Sequence, residues 1–443
     1  MAQTCELIEA DRQPFSVCER EIKSRFLSGA FWSLSGAVVS RGMTLVGFIC
    51  SSRLLGADGL GELGIVQSTT SMFAVAAGMG LGLTATKYIA ENRDRAPELA
   101  GRYIRFFTWM TAASGLMLSA LYVLSLPAIL RVVPSSRGLA GALLASTGLL
   151  FLGAMNATQV GILTGLEAFR ASALANMIRG SLAAILLVAG VAWRGVLGGV
   201  VGLIAAEVGG FLAMYLAIRR RAGGLGIEVA WGGIAALCPA LWRFSLPALA
   251  GSLATLPAMW VANVILVREG GGFGQVGIYV AANKWGQFIL FVPSSISVIV
   301  LPMLSNRHGA GDRDQFRDLL RLNVVVNTGL TFLLAVACIA LSRILMGLYG
   351  SEYAQGWPVL AILAAGTLPQ VLNNVLGQAL VSTGDVWRRG AVDLLLAATL
   401  LVIAWWLVPW QGAIGMAAAF ALAYTVASVV LGFLLCCGSL GQS

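Results

Sequence analysis

Arg41 stands in the middle of an apolar stretch running from Leu27 to Cys50, and Lys284 stands inside another, Gly277 to Leu304. An isolated cation at bilayer depth costs roughly 2.5–3.5 kcal/mol on insertion scales. It persists where it faces a water-filled cavity, an acidic partner or an anionic ligand. Arg179 lies about eight residues into a third stretch, and Glu207 near the centre of a fourth. An arginine offers a planar fork that grips a phosphate-like oxyanion through two hydrogen bonds, and a lysine offers a point charge. Amides accompany these charges. Gln370, Asn374 and Gln378 recur at i, i+4 and i+8, which aligns them on one helical face, with Asn373 beside them. Asn283 adjoins Lys284, and Asn156, Gln159 and Asn176 extend the set. On a cavity wall such amides meet ligand hydroxyls; otherwise they bond between helices. The chemistry these residues support is non-covalent: a cationic central cavity holding an anionic cargo.

Several other chemistries lack their residues. No G-x-x-x-x-G-K-[ST] occurs, so nucleotide hydrolysis through that loop is excluded. Gly78-Met-Gly-Leu-Gly82 reads as close packing within a helix. His308 is the one histidine, which rules out a multi-histidine metal site. The seven cysteines (5, 18, 50, 238, 338, 436 and 437) form no CxxC and read as small buried hydrophobes. No cofactor is expected. The connection around 342–354, about a dozen residues, leaves no room for a folded catalytic domain on that side.

The elements that must position these side chains are membrane helices. Of 443 residues, 58% are hydrophobic and 11% charged, with a mean hydropathy of +0.84. Soluble domains carry about 25% charged residues, so this is no ordinary soluble protein. The pI near 9.5 does not imply nucleic acid, because the basic residues are scattered in short segments between apolar runs. Runs of the ~20 residues needed to cross a bilayer predict twelve spans: 27–51, 62–88, 106–126, 139–164, 171–193, 197–218, 244–267, 275–304, 320–342, 356–382, 390–409 and 412–436. With the N-terminus inside, cytoplasmic segments hold 21 Lys and Arg and outer segments 6, namely Arg53, Arg131, Arg137, Arg194, Arg268 and Arg343. That bias predicts two cytoplasmic termini. Trp193, Trp357, Trp405, Trp406 and Trp410 gather at predicted outer helix ends as an interfacial belt. The opening residues mix acids and bases without an apolar core, so 1–26 reads as a cytoplasmic tail rather than a signal peptide.

The longest inner connection, Arg219 to Arg243, divides the chain near its midpoint, and its spaced apolar residues predict a segment lying on the membrane surface. The expected organisation is a lobe over 27–222, a connecting segment over 223–243 and a second lobe over 244–443. The halves echo one another. Arg53 leads through a glycine-rich turn to Gly61-Glu-Leu-Gly-Ile65, and Arg268 leads through another to Gly274-Gln-Val-Gly-Ile278. Two six-helix halves in this order predict a parallel internal repeat about an axis normal to the membrane, with the site between them.

Short motifs in the same order resemble the oligosaccharide flippase (polysaccharide transporter) family of the multidrug/oligosaccharidyl-lipid/polysaccharide exporter superfamily. They are Gly29-Ala-Phe-Trp-Ser33 with Ser40-Arg41; Arg53-Leu-Leu-Gly56 through Gly61-Glu-Leu-Gly-Ile65; Gly80-Leu-Gly-Leu-Thr84 to Lys87-Tyr-Ile-Ala90; Arg243-Phe-Ser-Leu-Pro247; and Val300-Leu-Pro-Met-Leu304. The resemblance implies a V-shaped, all-α bundle of two six-helix lobes that alternates between inward- and outward-facing states. It implies a cargo of undecaprenyl-pyrophosphate-linked oligosaccharide, carried across the bacterial inner membrane for O-antigen, capsule or exopolysaccharide assembly. A polysaccharide polymerase and glycosyltransferases would work nearby, membrane lipids would surround the chain, and a monomer would suffice.

On that reading Arg41, Lys284 and Arg179 hold the pyrophosphate. Gln370, Asn374, Gln378 and Asn283 face the sugars. Glu207 either pairs with Arg179 or Arg41, or takes up a proton that drives exchange. Asp393 is expected to pair locally with Arg388 or Arg389. The alternatives are a cation-coupled multidrug antiporter of the same superfamily, which calls for an acid-rich pocket, and a membrane polymerase or ligase, which calls for a large outer loop.

Overall fold

The structure is a computed structural model that describes residues 13–78, 80–134, 138–229, 246–309, 312–383 and 385–440. Among these residues the chain forms helices and no strands. In order they are α1 Gln13–Gly78, α2 Leu81–Asn92, α3 Pro97–Val132, α4 Leu139–Gly165, α5 Phe169–Gly224, α6 Leu246–Glu269, α7 Phe273–Gly309, α8 Arg313–Ala340, the short α9 Ser342–Gly347 and α10 Ser351–Ala354, then α11 Trp357–Ser382, α12 Val386–Gln411 and α13 Ala413–Leu440. Eight of the helices among the described residues are long and apolar enough to cross a membrane. Two helices hold two spans each. α1 turns at Gly56 (φ 68) and α5 turns at Arg194 and Gly195. With α6 and α7, these elements account for twelve crossings.

Several boundaries differ from the sequence reading. Helix α1 starts at Gln13, inside the stretch expected as a tail, with Pro14 in its first turn where a missing N–H is harmless. The glycine-rich stretch does not continue as one helix: α1 ends at Gly78 and α2 begins at Leu81. Gly80 takes φ 63 and heads α2, a left-handed conformation that favours glycine. Gly82 then lies against the backbone of α4, and a Cβ at Gly161 would strike the Gly82 carbonyl. The predicted surface segment falls mostly on 230–245, outside the described residues. Its first part is described: Ile227 is buried against α2 and α3, where Gly101 leaves room for the Glu228 carbonyl.

Packing follows the division into sequence halves. In the first half α1 runs along α5, with Gly36 against Ala173, Gly47 against Ala184 and Gly180 against Ser40. Small residues let two helix backbones approach where lipid provides no hydrophobic drive. Helix α4 packs on α5, α2 and α3. In the second half α11 packs on α13, α7 and α8, and α12 on α13 and α6. The halves meet where α1 touches α7 and α6. An even number of crossings puts Gln13 and Leu440, the ends of the described residues, at one end of the bundle. The turns at 53–56, 133–134, 194–195, 268–272, 341–356 and 412 lie at the other, called here the far end.

The repeat is written in backbone angles. Gly195 (φ 57, ψ −136) joins the two legs of α5, and Gly412 (φ 54, ψ −127) joins α12 to α13. They are 217 residues apart, and the same shift carries Asn156 to Asn373, Asn176 to Asp393, Trp193 to Trp410 and Glu207 to Tyr424. A reciprocal contact marks the two-fold relation. A Cβ at Gly61 would strike the Phe273 carbonyl, and a Cβ at Gly277 would strike the Ala57 carbonyl. This sets Gly61 opposite Gly277, whereas the matching G-x-x-G-I motifs set Gly64 there. The motif match is three residues out of register because glycine pairs abound in both turns.

Candidate functional site

The interface between the halves holds two of the predicted cations. Lys284, on α7, points its ammonium at α1: Nζ lies 4.0 Å from the centre of the Phe48 ring and 3.5 Å from Gln67 Oε1. Gln67 and Lys284 are themselves 217 residues apart, so this contact sits near the pseudo-two-fold axis. Arg41, on α1, is exposed from the protein and stacks its guanidinium 4.5 Å from the centre of the Phe291 ring on α7. Arg41 is seven residues before Phe48, and Phe291 seven after Lys284. The two contacts are therefore spaced about 10 Å apart along both helices, with Arg41 nearer the chain termini. Among the described residues neither cation has a carboxylate partner. Aromatic faces attract cations without neutralising them, and the attraction grows when water is excluded. Trp260 Nε1 on α6 also donates across the interface, to Thr69 Oγ1 at 2.9 Å.

Arg179 is placed differently. Its guanidinium pairs with Glu207 on the second leg of α5, Nη1 to Oε1 at 3.1 Å, and reaches Asn176 Oδ1 at 3.4 Å. Asn156 of α4, fully buried, donates to both the carboxylate and the backbone carbonyl of Glu207. The stem of Arg179 lies over Gly210, where a Cβ would press on it. Of the alternatives for Glu207, pairing with Arg179 is the arrangement observed. The pair ties three helical segments of the first half together.

The amide stripe on α11 divides by environment. Gln370 bonds the Tyr424 hydroxyl of α13, Asn374 is exposed, and Gln378 is half-buried with an unpartnered Oε1. Asn283 is half-buried beside Lys284. Asn373 instead meets Arg389, which donates to its carbonyl at 2.9 Å and to Oδ1 at 3.0 Å. Arg389 also pairs with Asp393 at 2.7 Å, as expected for that acid. Gly377 supplies the space, since a Cβ there would strike the guanidinium. Each half thus contains one arginine–carboxylate pair bound to an asparagine, and the repeat relates the two asparagines, Asn156 and Asn373, but not the charged partners. Gln67 and Phe48 escaped the sequence reading, because a charge-by-charge scan passes over a lone amide or ring in an apolar run.

Among proteins of known structure the fold has clear counterparts. An inward-facing multidrug resistance MATE family transporter of the MOP superfamily matches with TM-score 0.77 at 14% identity, covering 94% of this chain and 100% of that one. A MOP superfamily transporter from Pyrococcus furiosus, described as having a binding pocket of reversed polarity, matches with TM-score 0.72 at 15% identity over 95% and 97% of the two chains. By sequence, the Lipid III flippases of Escherichia coli (strain K12) and Shigella flexneri are each 26% identical over 435 residues, 92% of this chain and 96% of theirs. The MatE pattern matches residues 250–405. The pattern of the polysaccharide biosynthesis protein family matches residues 26–308, well over half the chain, and the chain belongs to that family.

Proposed function

We propose that this multi-pass membrane protein is a flippase that carries a lipid-linked oligosaccharide between leaflets by alternating access, with no catalytic step. The observation that carries the reading is the pair of cations, Arg41 and Lys284, on the facing walls of the two halves, neither with a carboxylate partner among the described residues. A polyprenyl pyrophosphate linker brings negative charge into the bilayer, and these two groups offer it a fork and a point charge about 10 Å apart. The curated relatives, named as Lipid III flippases, support the same cargo class. On this reading the two lobes are 27–222 and 244–443, joined through 223–243. Arg179 contributes through Glu207, which holds it in place, rather than as a free cation. Gln370, Asn374, Gln378 and Asn283 remain the sugar-facing candidates, Asn374 foremost because it is exposed. The bias of basic residues supports cytoplasmic termini in a bacterial inner membrane, so the far end faces outward. The chain works as a monomer alongside a polymerase and glycosyltransferases.

The multidrug antiporter reading asks for carboxylates open to an organic cation. Glu207 and Asp393, the acids inside the described bundle, are each held by an arginine, which favours the anionic cargo. The test is the leaflet distribution of undecaprenyl-pyrophosphate-linked oligosaccharide in a deletion strain. Cytoplasmic accumulation with loss of surface polysaccharide is expected, reversed by the wild-type gene. Arg41→Gln and Lys284→Gln should each restore less than about a tenth of the export, the effect of losing a charged hydrogen bond worth roughly 1.5–3 kcal/mol. Full export by both variants, stably inserted, overturns the assignment.

A further inference from the structure

We propose that Arg53 and Arg268 are two matched latches that hold the far ends of the halves together, and that both must release once in each transport cycle. Arg53 ends the first leg of α1 and donates from Nε to the Leu348 carbonyl, at the C-terminal end of α9 in the other half, at 2.8 Å. Arg268 ends α6 and donates to the Val132 carbonyl and, at 2.9 Å, to that of Arg131, the last turn of α3 in the first half. The two interactions run in opposite directions between the halves, and the repeat relates donor to donor and acceptor to acceptor. The acceptors are of one kind, carbonyls left unsatisfied where a helix ends, carrying the negative end of its dipole.

Neighbouring contacts lock the first latch. Glu352 accepts from the Ala57 N–H at 2.9 Å, capping the second leg of α1 where Gly56 breaks it. Tyr353 donates its hydroxyl to the Gly56 carbonyl at 2.8 Å, and Ser52 reaches the Tyr349 carbonyl at 3.3 Å. All these groups stand at the far end, beyond Lys284 from the chain termini. The hydrogen bonds described between the halves gather from that level outward. The two clamped turns are the ones whose basic residue and glycine-rich motif repeat in the sequence. Their conserved element of chemistry between the halves of this chain is the arginine. Opening the far end separates α1 from the 348–353 segment and α6 from α3, so neither latch survives it. Arg53 and Arg268 are positioning residues: they touch no cargo and set how often the far end opens. The transport cycle is taken from the flippase reading; the closure itself is read from the contacts.

The test is a distance measurement. Spin labels at Trp193→Cys and Trp410→Cys, far-end positions related by the repeat and both exposed, report the separation of the halves in a background whose native cysteines are replaced. Wild type in nanodiscs is expected to show one short population. Arg53→Gln with Arg268→Gln should shift the ratio of long to short distances by roughly tenfold or more, each single change accounting for part of it. Arg343→Gln, a far-end arginine resting on Trp357 in its own half, should leave the distribution unchanged. An unshifted distribution in a monodisperse double variant overturns the latch. A shift in a protein whose deletion leaves the lipid-linked pool unaltered would uphold the latch and overturn the flippase reading, so the two failures are distinguishable.

Discussion

Arg41, Lys284, Arg179 and Arg389 share a charge and differ in what surrounds them. The first two meet aromatic rings, and the last two meet carboxylates, with an asparagine bound to the acid Glu207 in one pair and to the base Arg389 in the other. Removing one member of a part-buried pair strands the other in low dielectric, while removing both can be neutral. Glu207→Gln is therefore expected to lower stability by about 1–2 kcal/mol, given the partial exposure of the pair. Arg179→Met combined with Glu207→Leu should recover most of the lost thermal stability in detergent. An additive double variant would refute the coupling. The sequence exposed the charges because they interrupt apolar runs, and offered Arg179 as one of two partners for Glu207 without choosing between them. Asp393 was legible as a local partner of Arg389 because four residues on a helix make neighbours. Glu207 and Arg179 stand on two legs of one bent helix, and only the turn at Gly195 brings them together. Asn373 lay one residue off the stripe that periodicity singled out, yet it carries the contacts to Arg389.

Among the helices, apolar length revealed the crossings, since a span must satisfy its own backbone and be about 20 residues long. Glycines were harder to read. One type of residue serves a left-handed break at Gly80, a close crossing at Gly61 and a turn at Gly412. Spacing does not separate these uses. Gly80→Ala forces a Cβ into φ 63 and should lower stability by about 1–2 kcal/mol. Gly42→Ala, where a Cβ meets open space, should not. Gly61→Leu and Gly277→Leu each drive a side chain into a backbone carbonyl across the pseudo-two-fold axis. Each is expected to abolish export while leaving insertion intact, as read by membrane-fraction yield. Retained export would show that the crossing can part without loss.

For the whole molecule, the division into two six-span halves has a consequence for how the chain is made. Six crossings return the polypeptide to the side from which it set out, so the stretch after Gly224 begins again where Gln13 began. The second half enters the membrane in the same sense as the first, and residues 230–245 join the two in sequence. Each half carries its own excess of basic residues on the terminal side, Lys87 to Arg105 in one and Arg307 to Arg321 in the other. Each can thus set its own direction at the translocon. Assembly then becomes a meeting of two already oriented bodies within the bilayer, guided by the Gly61–Gly277 crossing rather than by any tether. Cut in that segment and made as two polypeptides, the protein should still come together in the membrane, a property of parallel halves that an inverted repeat of odd-numbered spans would not share.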